Sequence, residues 1–557
     1  MIVNPAYNPF RLDYWFGQTD ARPLALFRVL FALLLLKDAI YHIPLARLFY
    51  SDEGLYPLHV MHEMARTNRF SLMDALHAPW MATAFFLLWC VVILHVLIGS
   101  RTRLMTILNF IMILSVHERN LYLLNGADTV MRVLSFWAIF LPLGAAFSVD
   151  ALRRRRQAYL ESRSLVDLRP PVDPPTVWAF PVRIIQIQIA LVYIFATVHK
   201  LPGEPWLTGE ALYYALQIET LQIVPGRLLL ELTPPPLLRL MTWAALLTEA
   251  SWAILVFQPF FQPIVRRIAL IMGVAFHFGI ALTMAIPNFS IVMVISYVLF
   301  LEGDTIEAAI RAVWRHPLRI PPPAPRSAAW WLVAILPRQR LKIDRTAKPL
   351  ALLERLGAVG WPRPERDADP TVRQASLLVR PARALTGALL TFLMGTIIWW
   401  NLANVELAGD EALVDRVDGA PRTMVQVTGL WQSWKLFAPY PSRTYGWIAV
   451  PGVFEDDVTY DLRTGQPEGD TFARWVLGPN ARWRKYEDRL RRDGSEAMLR
   501  ALGSYYCDRY EDLPEGERLA TLEIHYHWRR SPDPGEAAAP YATRSLWRHW
   551  CYPQYAY

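Results

Sequence analysis

The residue best placed to do chemistry is a lysine at the end of an apolar helix. His199 and Lys200 close the run Tyr193-Ile-Phe-Ala-Thr-Val-His-Lys200, and Pro202, Gly203 and Pro205 stop the helix directly after them. Tyr193 and Gln186 lie one and two heptads behind Lys200, so all three fall on nearly one helical face. That makes a polar stripe ending in an amine. Two readings of the amine are open. As an anchor, Lys200 snorkels to the membrane surface while Trp206 sits in the headgroup layer. At the edge of a membrane cavity, partial desolvation favours a neutral amine that can act as a base.

Other ionisable groups fall in or beside apolar runs: Arg28, Asp128, Arg132, Glu249 and His277. Such groups are costly in lipid unless paired or solvated. Asp128 and Arg132, four residues apart, are expected to pair on one helix. Arg28 needs an acidic or carbonyl partner, and Glu249 is a candidate for it. Glu249 and His277 are also able to take part in proton transfer; the plainer role for His277 is a hydrogen bond inside the bundle. His117-Glu-Arg-Asn120 closes another apolar run, and Asn288 opens one.

These residues need membrane helices to position them. Of 557 residues, 54% are hydrophobic and only 19% charged, and several apolar runs approach the length that spans a bilayer. The expected fold is an all-α polytopic membrane bundle with a small C-terminal β-rich (α+β) extramembrane domain. About nine spans are read, near 23–43, 80–99, 104–120, 126–147, 178–200, 237–258, 264–286, 287–302 and 384–403. The domains are then a membrane domain at 1–303, a basic, proline-rich cytoplasmic loop at 304–380, a ninth helix at 381–404 and an extracytoplasmic domain at 405–557. Arg11 and Arg22, Arg101 and Arg103, Arg153 to Arg156, and Arg266 and Arg267 all share one side if the N-terminus is cytoplasmic. Loops 44–79, 121–125, 201–236 and 286–288 then face outward, bringing His117, Lys200, His277 and Asn288 toward one leaflet. The net charge of +8 reads as a topology signal, with no nucleic-acid partner expected. Residues 1–22 are too charged for a cleavable signal.

In the tail, Val458, Tyr460 and Leu462, and again Leu522, Ile524, Tyr526 and Trp528, alternate with polar residues as half-buried strands do. Residues 482–502 read as helical. The segment Trp431–Pro441 suits either the membrane surface or packing within the tail domain. Cys90, Cys507 and Cys551 show no metal-ligand spacing, and no metal site is expected. In an oxidising compartment Cys507 and Cys551 are expected to pair, which would stabilise the domain by about 3–4 kcal/mol.

With these residues in place, the chain resembles the horizontally transferred transmembrane (HTTM) domain family, which is related to vitamin K-dependent gamma-carboxylase. The resemblance runs over residues 18–303 and is carried by Leu26-Phe-Arg28, Phe49-Tyr-Ser-Asp-Glu-Gly54, His117-Glu-Arg-Asn120, Asn125-Gly-Ala-Asp128, the stretch from Val192 through His199-Lys200-Leu201 to Trp206 and Gly209, and Phe276-His277 with Asn288-Phe289. Trp434-Lys-Leu-Phe-Ala-Pro439 is similar to a segment that follows the domain in bacterial relatives. In the carboxylase, a lysine at the position resembling Lys200 deprotonates reduced vitamin K. Oxygenation of the quinol then yields the strong base that removes a glutamate γ-proton, and carbon dioxide adds. The resemblance thus implies a base role for Lys200, with His199 standing where the carboxylase has a second lysine and His277 matching a histidine. His117 or Asn120 matches a further polar position.

The expected catalytic set is Lys200, His199 and His277, with a substrate or cosubstrate pocket of His117, Asn120, Tyr193, Glu249 and Asn288. The implied class is a lyase-type enzyme using a reduced, vitamin K-like quinone. Its partners are the lipid membrane and a hydrophobic small molecule or a peptide glutamate. The rival is a non-catalytic membrane scaffold, or a carrier for an apolar ligand.

Overall fold

A computed structural model describes residues 3–64, 69–162, 174–313, 318–320, 341–343, 370–405, 419–468 and 481–555. Most of the basic 304–380 loop lies outside the described residues. Each apolar run forms a helix: α1 (Arg22–His42), α2 (Pro79–Ile98), α3 (Thr102–Arg119), α4 (Gly126–Ala138), α5 (Ala179–Lys200), α6 (Pro235–Phe257), α7 (Ile264–Thr283), α8 (Pro287–Tyr297) and α9 (Pro370–Ala403). Prolines at the first turn open α1, α2, α6 and α8, where the missing N–H is one the helix does not use.

Among the described residues, five helices are long and apolar enough to cross a membrane: α2, α5, α6, α7 and the Pro381–Ala403 part of α9. A sixth span is added if Pro287–Phe300 and Gly303–Ile310, bent by 111° at their junction, count as one. This is fewer than the nine read from sequence. The fourth run, expected to reach residue 147, stops being α-helical after Ala138, short of a bilayer's thickness. Helix α8 has only 11 residues. Helix α1 carries Arg28, Lys37 and Asp38, and α3 carries Asn109, His117, Glu118 and Arg119, so both are too polar to qualify by composition.

Helix α5 is the axis. It is buried along 89% of its apolar window, whereas α6 and α7 are each buried along 28%. Leu247, Ile254, Ile271 and Phe278 of those outer helices are left exposed, as a lipid-facing surface requires. The polar residues of α5 point inward: Arg183 donates to Gln186 (3.0 Å), and Gln186 donates to the Leu299 carbonyl (2.6 Å).

The loops sort into two ends. At one, Arg22 pairs with Asp20, Asp304 and Glu307, and Asp150 accepts from the backbone of Arg101 and Thr102. There too Arg28 donates to the carbonyls of Leu143, Ala146 and Phe147, so its partners are carbonyls and not Glu249. The other end holds the loops around Leu55, Leu123, Trp206 and Glu219, and the tail domain sits on it.

That domain is an antiparallel five-stranded sheet with two helices: β1 (Thr444–Ala449), β2 (Pro451–Phe454), β3 (Thr459–Asp461), α10 (Ala481–Leu490), α11 (Glu496–Arg509), β4 (Leu519–Arg530) and β5 (Ala542–Trp550). Long β4 is central, with β1 and β2 along one edge and β5 along the other. Leu522, Ile524 and Tyr526 are buried on its inner face, the alternation read from sequence. The single helix expected at 482–502 is broken before α11, with Gly494 left-handed at the break. A disulfide joins Cys507 on α11 to Cys551 beyond β5, their Cα atoms 5.3 Å apart.

Candidate functional site

At the end of α5, Lys200 Nζ donates to Glu249 Oε2 on α6, and both side chains are buried. The amine also stands 4.6 Å from the centroid of the Trp206 ring, a cation–π distance. The chain reaches Trp206 by turning at Gly203, where an added Cβ would meet the Pro439 carbonyl oxygen at 1.8 Å. Only glycine permits that approach. Trp206 Nε1 then donates to the Phe437 carbonyl (3.2 Å). Trp206 is thus held in the interior and is not a headgroup-layer anchor. Trp434–Pro439 packs between the domains, with Trp434 fully buried.

Lys200, Glu249 and Trp206 line a cavity of about 1010 Å³. Leu212, Phe276, Ile280, Met284 and Phe289 give it an apolar wall. Lys37 Nζ donates to Asn288 Oδ1 (2.6 Å) at another side. The wall from the tail domain is cationic: Arg484, Lys485, Arg489, Arg491 and Arg492 outnumber Glu487 and Asp488. Those two acids are engaged, Glu487 by Arg463 (2.6 Å) and Asp488 by Arg491 (2.5 Å) and Arg492 (2.9 Å). Burial, and then the cations Arg484, Arg489 and Arg492, push the Lys485 ammonium down to about 8, against the pull of Asp488. Lys200 and Glu249 thus share one cavity with apolar side chains of the membrane domain and cationic side chains of the tail domain, a lining that can hold an apolar molecule bearing an anionic group.

The HTTM domain matches residues 16–304, more than half of the chain, and those residues build the helices that carry Lys200, Glu249 and Asn288. The chain belongs to the HTTM domain family. It is also similar to YitO of Bacillus subtilis (strain 168), described as an uncharacterized protein, at 28% identity over 215 residues. That match covers 38% of this chain and 65% of the relative. No solved structure matches.

Within the HTTM domain, the residues singled out from sequence divide into four groups. Lys200, Glu249 and Asn288 meet at the cavity. Tyr193 and His277 form a second, buried cluster: the Tyr193 hydroxyl bonds His277 Nε2 (2.7 Å) and the Tyr297 hydroxyl, and its ring stacks on Trp252 at 4.7 Å. His199 is buried and is not among the cavity-lining residues. His117 and Asn120 are buried, and Asn120 Nδ2 donates to the carbonyl of Phe49 (3.2 Å), whose ring packs on Trp483 and Tyr486 of the tail domain.

The expected Asp128–Arg132 pair does not form. Asp128 caps α4 through the Asn125 backbone N–H (2.7 Å) and takes a two-pronged contact from Arg482 of α10, at 2.6 and 2.7 Å. Arg132 instead donates to the carbonyls of Gly429 (2.9 Å) and Trp431 (2.6 Å) and lies 3.6 Å from the Trp431 ring centroid. Arg482, which also reaches Asp38 at 3.3 Å, and the cationic wall of α10 were missed from sequence. The dense basic run Arg482-Trp-Arg-Lys was the available signal, but nothing local shows that it folds back onto the membrane domain.

Proposed function

We propose that this HTTM protein is a membrane enzyme that uses a quinol-like, lipid-soluble cosubstrate, with Lys200 as the base. The observation that carries the reading is the buried Lys200–Glu249 pair on the apolar wall of a cavity large enough for such a molecule. Phe276, Ile280 and Phe289 suit a flat apolar body, and Trp206 confines the amine from one side. A bound quinol supplies an acidic hydroxyl and a reaction with oxygen. Once its ammonium has released a proton to solvent, Lys200 takes the quinol hydroxyl proton on the neutral Nζ, and Glu249 stabilises the ammonium that re-forms. The cationic α10 wall positions an anionic second substrate, of which a peptide glutamate is one, for lyase-type carboxylation. His277, tied to Tyr193, holds the wall behind Phe276 and Phe289, its ring 5.7 Å from that of Phe289.

The same proposal places nine membrane-crossing segments, a cytoplasmic N-terminus and an extracytoplasmic tail domain. The sorting of loops into two ends supports it, because the arginine-rich loops gather at one end and the tail domain at the other. A carrier reading rests on one observation: Lys200 is already satisfied by Glu249 and Trp206. Mass spectrometry of small molecules extracted from the purified protein separates the outcomes. A bound quinone that is depleted in Trp206→Ala supports the enzyme reading. An apolar ligand without a quinone ring supports the carrier.

A further inference from the structure

A second cluster lies on the face of the tail sheet opposite Leu522, Ile524 and Tyr526. His525 and His527 are alternate residues of central strand β4, so both imidazoles project from one face. Glu468, from the segment after β3, places Oε1 2.7 Å from His525 Nδ1 and 3.0 Å from His527 Nε2. The three candidate ligand atoms all lie within 4.8 Å of one another.

The rest of each ring is held as metal-binding histidines are held. His525 Nε2 faces Glu523 Oε2 at 2.9 Å, a carboxylate behind the imidazole. His527 Nδ1 meets the Thr543 hydroxyl at 2.9 Å, from the directly opposed residue of β5. Trp447, opposite His527 on β1, stacks on its ring at 5.1 Å. The β4–β5 register shifts between Ile524 and His525, and a bulge of this kind re-aims side chains beside a site. His525 also has carboxylate oxygens at both ring nitrogens, while a neutral imidazole has one N–H to give. A cation at Nδ1 satisfies both sides at once.

We propose that Glu468, His525 and His527 form a binding site for a divalent first-row transition metal of the zinc type, with Glu523 and Thr543 as positioning residues. Two imidazoles and one carboxylate are a zinc donor set that keeps a coordination position open. Glu468 is the most exposed of the three, its side chain retaining 30% of its accessible surface, so the open position faces solvent. The site is absent from the sequence expectations because its carboxylate is remote in the chain from the histidines.

The test uses the full chain without an affinity tag, in detergent, loaded with zinc and then dialysed against metal-free buffer. Elemental analysis should give one zinc per chain, and cobalt in its place should give visible d–d absorption. His525→Ala, His527→Ala and Glu468→Gln should each lose the bound zinc. Glu523→Gln should weaken it by about 10–100-fold. Glu468→Gln alters a residue outside the sheet, so it decides the matter if a histidine variant fails to fold. Substoichiometric zinc in the wild type, or full zinc in Glu468→Gln, would overturn the proposal and leave the cluster as a histidine–carboxylate ion pair.

Discussion

Among single residues, Lys200 is the decisive one. Arginine keeps the charge that Glu249 requires but cannot give up its proton. Lys200→Arg should therefore insert and melt like the wild type and lose activity outright. Lys200→Ala should also insert, with a lower melting temperature because Glu249 loses its partner. Failure of Lys200→Ala to accumulate in the membrane would favour a purely structural lysine. Lys485 makes a second, separate prediction. Its ammonium is held down to about 8 by burial and its cationic neighbours, whereas an unfolded lysine titrates near ~10.4. Affinity for an anionic ligand should accordingly fall as pH rises through about 8. Over the interval from there to ~10.4 the unfolded chain binds more protons, so this group's contribution to stability rises with pH. In Lys485→Gln the affinity should be lower and flat between pH 7 and 9; an unchanged pH profile would count against a role for Lys485 in the wall. Lys200 was legible because prolines fix the helix end beside it. Glu249 was visible only as an acid in an apolar run, since its partner is 49 residues away and on another helix.

At the scale of elements, the helices were legible and their status as spans was not. Apolar periodicity locates α4 correctly at its start, where Asn125 and Asp128 make a capping box, but not its early end. Helices α1 and α3 were both read as spans, but their charged and polar residues, buried inside the protein, leave them outside the apolar set. Reporter fusions at residue 160 and after residue 557 should report opposite sides of the membrane; the same side for both would reject nine crossings. Helix α10 is the element that joins the two parts. Arg482 is buried against Asp128 and Asp38, so Arg482→Met strands two carboxylates and should cost about 3–5 kcal/mol, read as a drop in thermal stability. Loss of less than ~1 kcal/mol would show that the docking does not depend on this contact.

At the scale of the whole molecule, the tail domain closes one end of an HTTM bundle and supplies a wall of its cavity. No periodicity in the tail announces this, because docking depends on residues hundreds of positions apart, such as Gly203 against Pro439. The disulfide ties α11 to the end of β5 across a sequence separation of 44 residues. Reducing it should lower the domain's stability by about 3–4 kcal/mol. In the unreduced, denatured protein, alkylation should modify Cys90 and spare Cys507 and Cys551; modification of all three would reject the bridge. If the cavity runs base chemistry on a quinol, the protein consumes oxygen when a quinol is supplied. Adding a reduced naphthoquinone to the purified protein in detergent should give oxygen consumption above the protein-free rate, abolished in Lys200→Arg at unchanged folding. Uptake no faster than buffer, or uptake retained in Lys200→Arg, would show that Lys200 does not act as a base on a quinol.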